Sequence, residues 1–161
     1  MTKNAAEGLN YGAEISLDSE ISDTVNMFLN LGILETEIRK YQSRPDLEGR
    51  EQAHAPDYSF SAGLSWEISN NVEFLLDVNG KSDFYYSDSH NNSSDDYILT
   101  NINLIYEKEN INLNFWIRNI FDEYYSLRGF YFGNEPPNFE DTLYERHGDP
   151  RNYGVTFRYD F

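Results

Sequence analysis

"YSFSAGLSWEI", residues Tyr58 to Ile68, sends Tyr58, Phe60, Ala62, Leu64, Trp66 and Ile68 one way and Ser59, Ser61, Gly63, Ser65 and Glu67 the other. A period of two is the period of a β-strand, whose successive side chains leave opposite faces of a sheet. Working outward, the same alternation recurs at 9–17, 25–34, 72–86, 97–107, 111–121 and 152–161, and helical spacing is hard to find. In 9–17, Leu9, Tyr11, Ala13, Ile15 and Leu17 oppose Asn10, Gly12, Glu14 and Ser16. In 111–121, Ile111, Leu113, Phe115 and Ile117 oppose Asn112, Asn114, Trp116 and Arg118. The pattern predicts seven strands and an all-β chain.

The connections alternate in length. "DSEISDT", "SNN" and "KEN" are short; 35–57, "SDSHNNSSDD" and 122–150 are long. An antiparallel meander puts alternate connections at opposite ends. One end therefore carries tight turns and the other carries polar, aromatic-rich loops, the layout of an up-and-down transmembrane β-barrel. Aromatic residues gather at the stripe ends: Trp66, Tyr106, Tyr159 and Phe161 by the short turns, and Tyr58, Phe84, Tyr97, Tyr124 and Tyr153 by the loops. Aliphatic residues such as Leu29, Leu31, Ala62, Leu64, Ile102 and Leu104 lie between. Two aromatic girdles around an aliphatic band predict a lipid-facing surface. A soluble β-sandwich, with its apolar stripes packed together, is the competing arrangement.

Composition sets further bounds. The 161 residues include 28 acidic against 12 basic side chains, a net charge of -16, with 16% aromatic residues. Such acidity argues against nucleic acid and against docking on an anionic membrane surface. With no cysteine, neither disulfides nor thiolate metal sites are available. "MTKNAAEGLNYG" has no charged region followed by an apolar core, so no signal peptide is expected there, and no run of about 18 apolar residues predicts a membrane helix. Taken alone, that profile describes a soluble cytoplasmic protein, and the alternation contradicts it.

Four stretches carry a resemblance to a known family. "NIFDEYY" (Asn119 to Tyr125) resembles the Asn-Leu-Phe-Asp-x-x-Tyr motif near the end of TonB-dependent outer-membrane receptors. "GDPRNYGVTFRYDF" (Gly148 to Phe161) is similar to their last strand, and "NAAEGLNYGAEISL" (Asn4 to Leu17) to a strand several hairpins earlier. "GREQAHAPDYSFSAGLSW" (Gly49 to Trp66) resembles a loop-to-strand passage between them. The four occur in the family's order and span nearly the whole chain.

The resemblance implies a barrel of about 22 strands filled by a plug. A segment of that plug engages the inner-membrane TonB complex, and the receptors import ferric siderophores, haem, cobalamin or sugars. Residues 1–161 are then expected to form the C-terminal part of the barrel domain, its last seven strands, without plug, TonB-contacting segment or signal peptide. The expected setting is the bacterial outer membrane, with lipid as partner, the TonB complex reached only through the plug, a ferric siderophore as the first ligand class, and no cofactor. Seven strands leave two unpaired edges, which hydrocarbon does not tolerate, so such a piece does not span a membrane by itself. The alternatives are a porin-like barrel built by oligomerisation and a sandwich that binds carbohydrate through exposed aromatics.

Candidate ligand-binding residues lie in the last long loop and on the polar face: Arg118, Tyr124, Tyr125, Arg128, Phe130 and Tyr131, with Phe132 beside them. Arg118 and Arg158 face inward, where Glu73, Asp77 and Asp160 offer partners. Tyr153, Val155, Phe157, Tyr159 and Phe161 match the alternating, aromatic-ended row that the barrel-assembly machinery reads in outer-membrane proteins; the same row also suits a lipid-facing strand. His54, His90 and His147 sit in long loops without metal-ligand spacing, and the carboxylates of "DLEGRE" and "SSDDY" lack a calcium-loop pattern. No catalytic motif appears, so no enzymatic step is expected.

Overall fold

The computed structural model describes residues 7–88 and 90–161. Asn4, Ala5 and Ala6, which open one of the quoted motifs, lie outside the described residues. Nine strands follow in order: β1 (Glu7–Ser22), β2 (Val25–Lys40), β3 (Tyr58–Ser69), β4 (Val72–Lys81), β5 (Tyr97–Lys108), β6 (Ile111–Arg118), β7 (Ser126–Phe132), β8 (Thr142–His147) and β9 (Asn152–Tyr159). Seven of them form one antiparallel sheet in the order β1-β2-β3-β4-β5-β6-β9, the meander that the alternation predicts. β7 and β8 form a separate two-stranded hairpin inside the last long loop.

Three two-residue turns close the short end: Asp23-Thr24, Asn70-Asn71 and Glu109-Asn110. Neighbouring turns are tied together, since the Asn71 side chain donates to the Glu107 carbonyl at 2.7 Å and the Asp160 amide to the Asn110 carbonyl at 3.0 Å. The segment read as the connection "DSEISDT" is mostly strand, because β1 runs on to Ser22 before turning. At the other end β4 stops at Lys81 instead of reaching Tyr86, and β6 stops at Arg118 instead of Phe121.

Register makes the two faces unambiguous. Ser19, Met27, Leu64, Leu76, Ile102, Ile117 and Tyr153 stand side by side in one row across all seven strands. The adjacent row on the opposite face reads Glu20, Asn26, Ser65, Leu75, Asn103, Trp116 and Gly154. A slip of one residue anywhere would exchange the faces. None occurs between Met27 and Tyr153 along that row.

The apolar face is open. Ile15, Ile33, Trp66, Phe115, Val155 and Phe157 are exposed, and no second sheet covers them among the described residues. Transfer of one such side chain out of water is worth about 1.5–3 kcal/mol, so a row of them facing water is not a stable arrangement. That finding disfavours the sandwich. The buried apolar residues among those described are Ile38, Leu47, Phe84 and Tyr86, all at the loop end. Phe84 therefore does not belong to the aromatic girdle, and Tyr97 does not either: it pairs with Lys81 on the polar face. Tyr58 and Tyr153 do stand on the apolar face at that end.

The sheet is not closed. β1 and β9 each pair along one side only among the described residues.

Candidate functional site

The long connections at 41–57, 82–96 and 119–151 fold against one another. The first turns through the short 3-10 segment Pro45–Leu47, which buries Leu47. It returns to β2 through Gly49, whose φ of 86° favours glycine and whose amide donates to the Ile38 carbonyl at 2.8 Å. Arg50 then reaches the second loop. Its guanidinium donates to the carbonyls of His90 at 3.0 Å and Ser87 at 2.9 Å and to Asn91 Oδ1 at 2.9 Å, and it lies 4.5 Å from the centre of the Tyr85 ring. Three donors fixed in one planar fork suit this bridging better than an ammonium could.

Within the second loop, Phe84 and Ser94 exchange hydrogen bonds, and Phe84 meets the edge of Tyr86 at 5.8 Å. Lys81 caps Phe84 at 4.0 Å. Tyr86 extends to the hairpin, where its hydroxyl donates to Glu145 Oε1 at 2.6 Å and Ser126 Oγ donates to the same oxygen at 3.0 Å. The hydrogen bond from Tyr86 holds the Glu145 carboxyl below the ordinary range. Burial, with the adjacent carboxylate second, pushes the Tyr86 phenol up to about 12. Gly129 lets the hairpin lie directly on the Tyr86 ring, because a Cβ there would collide with it. Tyr131 stacks on His90 with ring centres 3.5 Å apart and donates to Asn92 Oδ1.

The two motifs at the ends of the third loop meet in space. Asn119 is buried at φ 50°, and its side chain accepts from the Glu123 amide at 2.8 Å and donates to the carbonyls of Glu123 at 2.8 Å and Asp149 at 3.2 Å. Asp122, also at positive φ, accepts from the Arg151 amide at 2.7 Å. Asparagine and aspartate are the side chains that tolerate this backbone and can bond the chain locally. "NIFDEYY" and "GDPRNYG" are thus the two halves of one clip, which closes the loop over the β6–β9 pair.

The candidate residues do not converge on one pocket. Arg118 stands on the polar face at the end of β6, 3.7 Å from Asp77. Tyr125 packs on Tyr97 with centres 4.5 Å apart and against Gly148, where a Cβ would overlap its ring. Tyr124 is exposed beside His147. Arg128 and Phe130 share the outer face of the hairpin, while Tyr131 lies on its docked face. Arg158 pairs with Asp160 at 3.1 Å. The histidines are separate: His54 lies against Phe84, His90 on Tyr131, and His147 beside Tyr124. Tyr144, Glu145 and Arg146 went unread in the sequence, because 142–147 was assigned to loop and its pairing with 126–132 gave no short hairpin turn to recognise.

No protein-family model matches the sequence. Solved structures do share the fold. The chain superposes on the ferric yersiniabactin uptake receptor FyuA from Yersinia pestis with a TM-score of 0.80 and 17% identity, over 98% of this chain and 24% of that one. With the siderophore receptor PiuA from Acinetobacter baumannii the TM-score is 0.77 at 15% identity, over 94% and 22%. With BauA, the ferric preacinetobactin receptor of the same organism, it is 0.67 at 19% identity, over 96% and 22%. The chain thus spans less than a quarter of the length of these receptors. Its fold is that of part of a siderophore-receptor barrel.

Proposed function

We propose that residues 1–161 are the C-terminal wall and outer loops of a TonB-dependent outer-membrane receptor, and that the complete protein imports a scarce nutrient, a ferric siderophore first. The observation that carries this reading is the seven-stranded register, which keeps one face apolar and largely exposed and the other predominantly polar from β1 to β9. Lipid takes the first face and a water-filled or plugged lumen the second. The open edges at β1 and β9 are completed by further strands of the same barrel, since unpaired backbone is not tolerated in hydrocarbon. Loops 41–57, 82–96 and 119–151 then form the ligand-facing layer, with Tyr124, Tyr125, Arg128, Phe130 and Tyr131 within it and Arg118 beneath it on the polar face of β6. A plug outside these residues gates passage and couples it to TonB. The protein binds and moves its substrate without altering a covalent bond of it.

The row Tyr153, Val155, Phe157, Tyr159 and Phe161 serves twice in this reading, as lipid-facing surface and as the segment that the barrel-assembly machinery reads. Uptake tests the whole. Cells grown under iron limitation, with and without the gene, are supplied with radiolabelled iron on a panel of chelators. Loss of energy-dependent uptake of at least one ferric chelate is the expected result. Unchanged uptake of every chelate, with the protein located in the soluble fraction, overturns the reading.

A further inference from the structure

Among the described residues, the hairpin β7–β8 is docked by one face only. Gly129, Tyr131 and Glu145 hold that face to the second loop. The other face carries Arg128, Phe130 and Phe132 on β7 with Arg146 and Tyr144 on β8. Arg128 stands directly opposite Arg146, and both are exposed. Like charges directly opposed across a strand pair are destabilising.

The rest of the arginines show how unusual this pair is. Arg39 is paired with Glu37, Arg44 with Asp46, Arg118 with Asp77 and Arg158 with Asp160. Arg50 binds loop carbonyls, and Arg151 reaches the Ile120 carbonyl at 3.3 Å. Arg128 and Arg146 alone have no ion-pair or hydrogen-bond partner among the described residues, although the chain carries 28 carboxylates. One step along the same face, Phe130 pairs with Tyr144, their rings parallel to within 18° and 6.0 Å apart, and Phe132 meets Phe130 edge-on at 5.2 Å.

We propose that this face binds an aromatic acid: a planar ring whose carboxylate or phenolate oxygens are held by Arg128 and Arg146 while the ring lies on Phe130 and Tyr144. Same-face neighbours on a strand are roughly 7 Å apart, the reach of a substituted benzene ring from its acid oxygens to its far edge. Guanidinium forks bind planar oxyanions in a bidentate way, and an aromatic strip beside them selects against acids that lack a ring. Under the transport reading, on which this step rests, the ligand is a ferric chelate whose arms are aromatic acids, and the hairpin supplies the selectivity.

Binding to the detergent-solubilised receptor that carries these residues tests it, read by quenching of protein fluorescence. Three ferric probes separate the chemistry: the 2,3-dihydroxybenzoate complex, the citrate complex and a neutral trihydroxamate complex. The double variant R128A/R146A is expected to weaken the dihydroxybenzoate complex by about tenfold or more, the equivalent of losing one charge-assisted contact, and to leave the trihydroxamate unchanged. Phe130→Ala is expected to weaken the dihydroxybenzoate complex and not the citrate. All three residues are exposed, and unaltered heat-modifiable mobility shows that each variant is folded. Equal binding of the dihydroxybenzoate complex by wild type and double variant overturns the site while leaving the transport reading intact. Iron-free 2,3-dihydroxybenzoate separates the converse: binding that depends on both arginines, without binding or uptake of any ferric complex, keeps the site and overturns the transport reading.

Discussion

Placing an arginine at Ala62 or at its neighbour Ser61 asks the wall which of its faces meets lipid. From Tyr58 to Ile68 are ten steps of β3. At about 3.4 Å each they make about 34 Å of strand, and at a tilt of about 40° about 26 Å of height, close to the ~25 Å apolar band of outer-membrane barrels. Ala62 lies about 10 Å below the loop-side rim on the same arithmetic, well inside the band. Its cross-strand neighbours are Leu29 and Val78, so no polar group is at hand for a guanidinium. Ala62→Arg is therefore expected to destabilise the barrel by about 2–4 kcal/mol, or roughly 30- to 700-fold in the folding equilibrium. Ser61 faces the lumen beside Asn30 and Asn79, and its hydrogen bond from Asn30 Nδ2 is 3.3 Å long. Losing that bond costs about 1 kcal/mol or less, and the new charge remains in water. Urea titration of each variant in phosphocholine vesicles, read by heat-modifiable mobility, gives the comparison. Equal losses, or a greater loss at Ser61, would refute the assignment of faces.

Two further outcomes concern the loops. Asn119→Ala removes three hydrogen bonds from a buried side chain and puts a Cβ-bearing aliphatic residue at φ 50°; the clip is expected to weaken by about 1–3 kcal/mol, seen as faster amide exchange at Glu123 and Arg151 with the wall unchanged. The Tyr86–Glu145 contact gives the hairpin a pH range. Glu145 is depressed below its ordinary value of 4.5, so its contribution is present above that pH and is lost as pH falls through the lowered value. Tyr86 is raised from 10.0 to about 12, so its contribution is complete below pH 10 and is lost as pH rises through 12. Tyrosinate absorbance compared with Tyr86→Phe, alongside protease sensitivity of 126–147, checks both limits; a Tyr86 that titrates with the exposed tyrosines contradicts the contact.

The wall was legible because a single physical rule, alternation, fixes strand, face and register together. The rule loses its phase where both faces are apolar. In "YILTNINLIYE", Ile98 and Ile102 stand on one face while Leu99 and Ile105 stand on the other, so Tyr97 could be read into the girdle although it faces the lumen. Large apolar residues reach the polar face for a local reason. Phe28 lies over Gly63 and Trp116 over Gly154, each filling the gap left by a missing side chain. The hairpin β7–β8 escaped because 133–141, which joins its strands, is longer than the two to five residues that mark a hairpin in sequence. Likewise, the two end motifs were recognisable by resemblance, but their purpose appears only when Asn119 and Asp149 come within hydrogen-bond distance.

Wall and loops are stabilised by different surroundings, and that bears on how a ligand is received. The wall's apolar side chains point outward, so under the proposed membrane setting its stability comes from lipid and from neighbouring strands. The loop layer instead encloses Ile38, Leu47, Phe84 and Tyr86 and is cross-linked by Arg50, Glu145 and Asn119. Ordering a free loop costs about 1–2 kcal/mol per residue, a sum that would consume the affinity of a small ligand if it fell due on binding. Here the cost is met on folding, by contacts that do not involve a ligand. Arg128, Phe130, Tyr144 and Arg146 are thereby presented on a hairpin already fixed by its other face. Affinity at that face then depends on charge and ring contact, and truncating Tyr86 beneath it should weaken binding without touching the ligand at all.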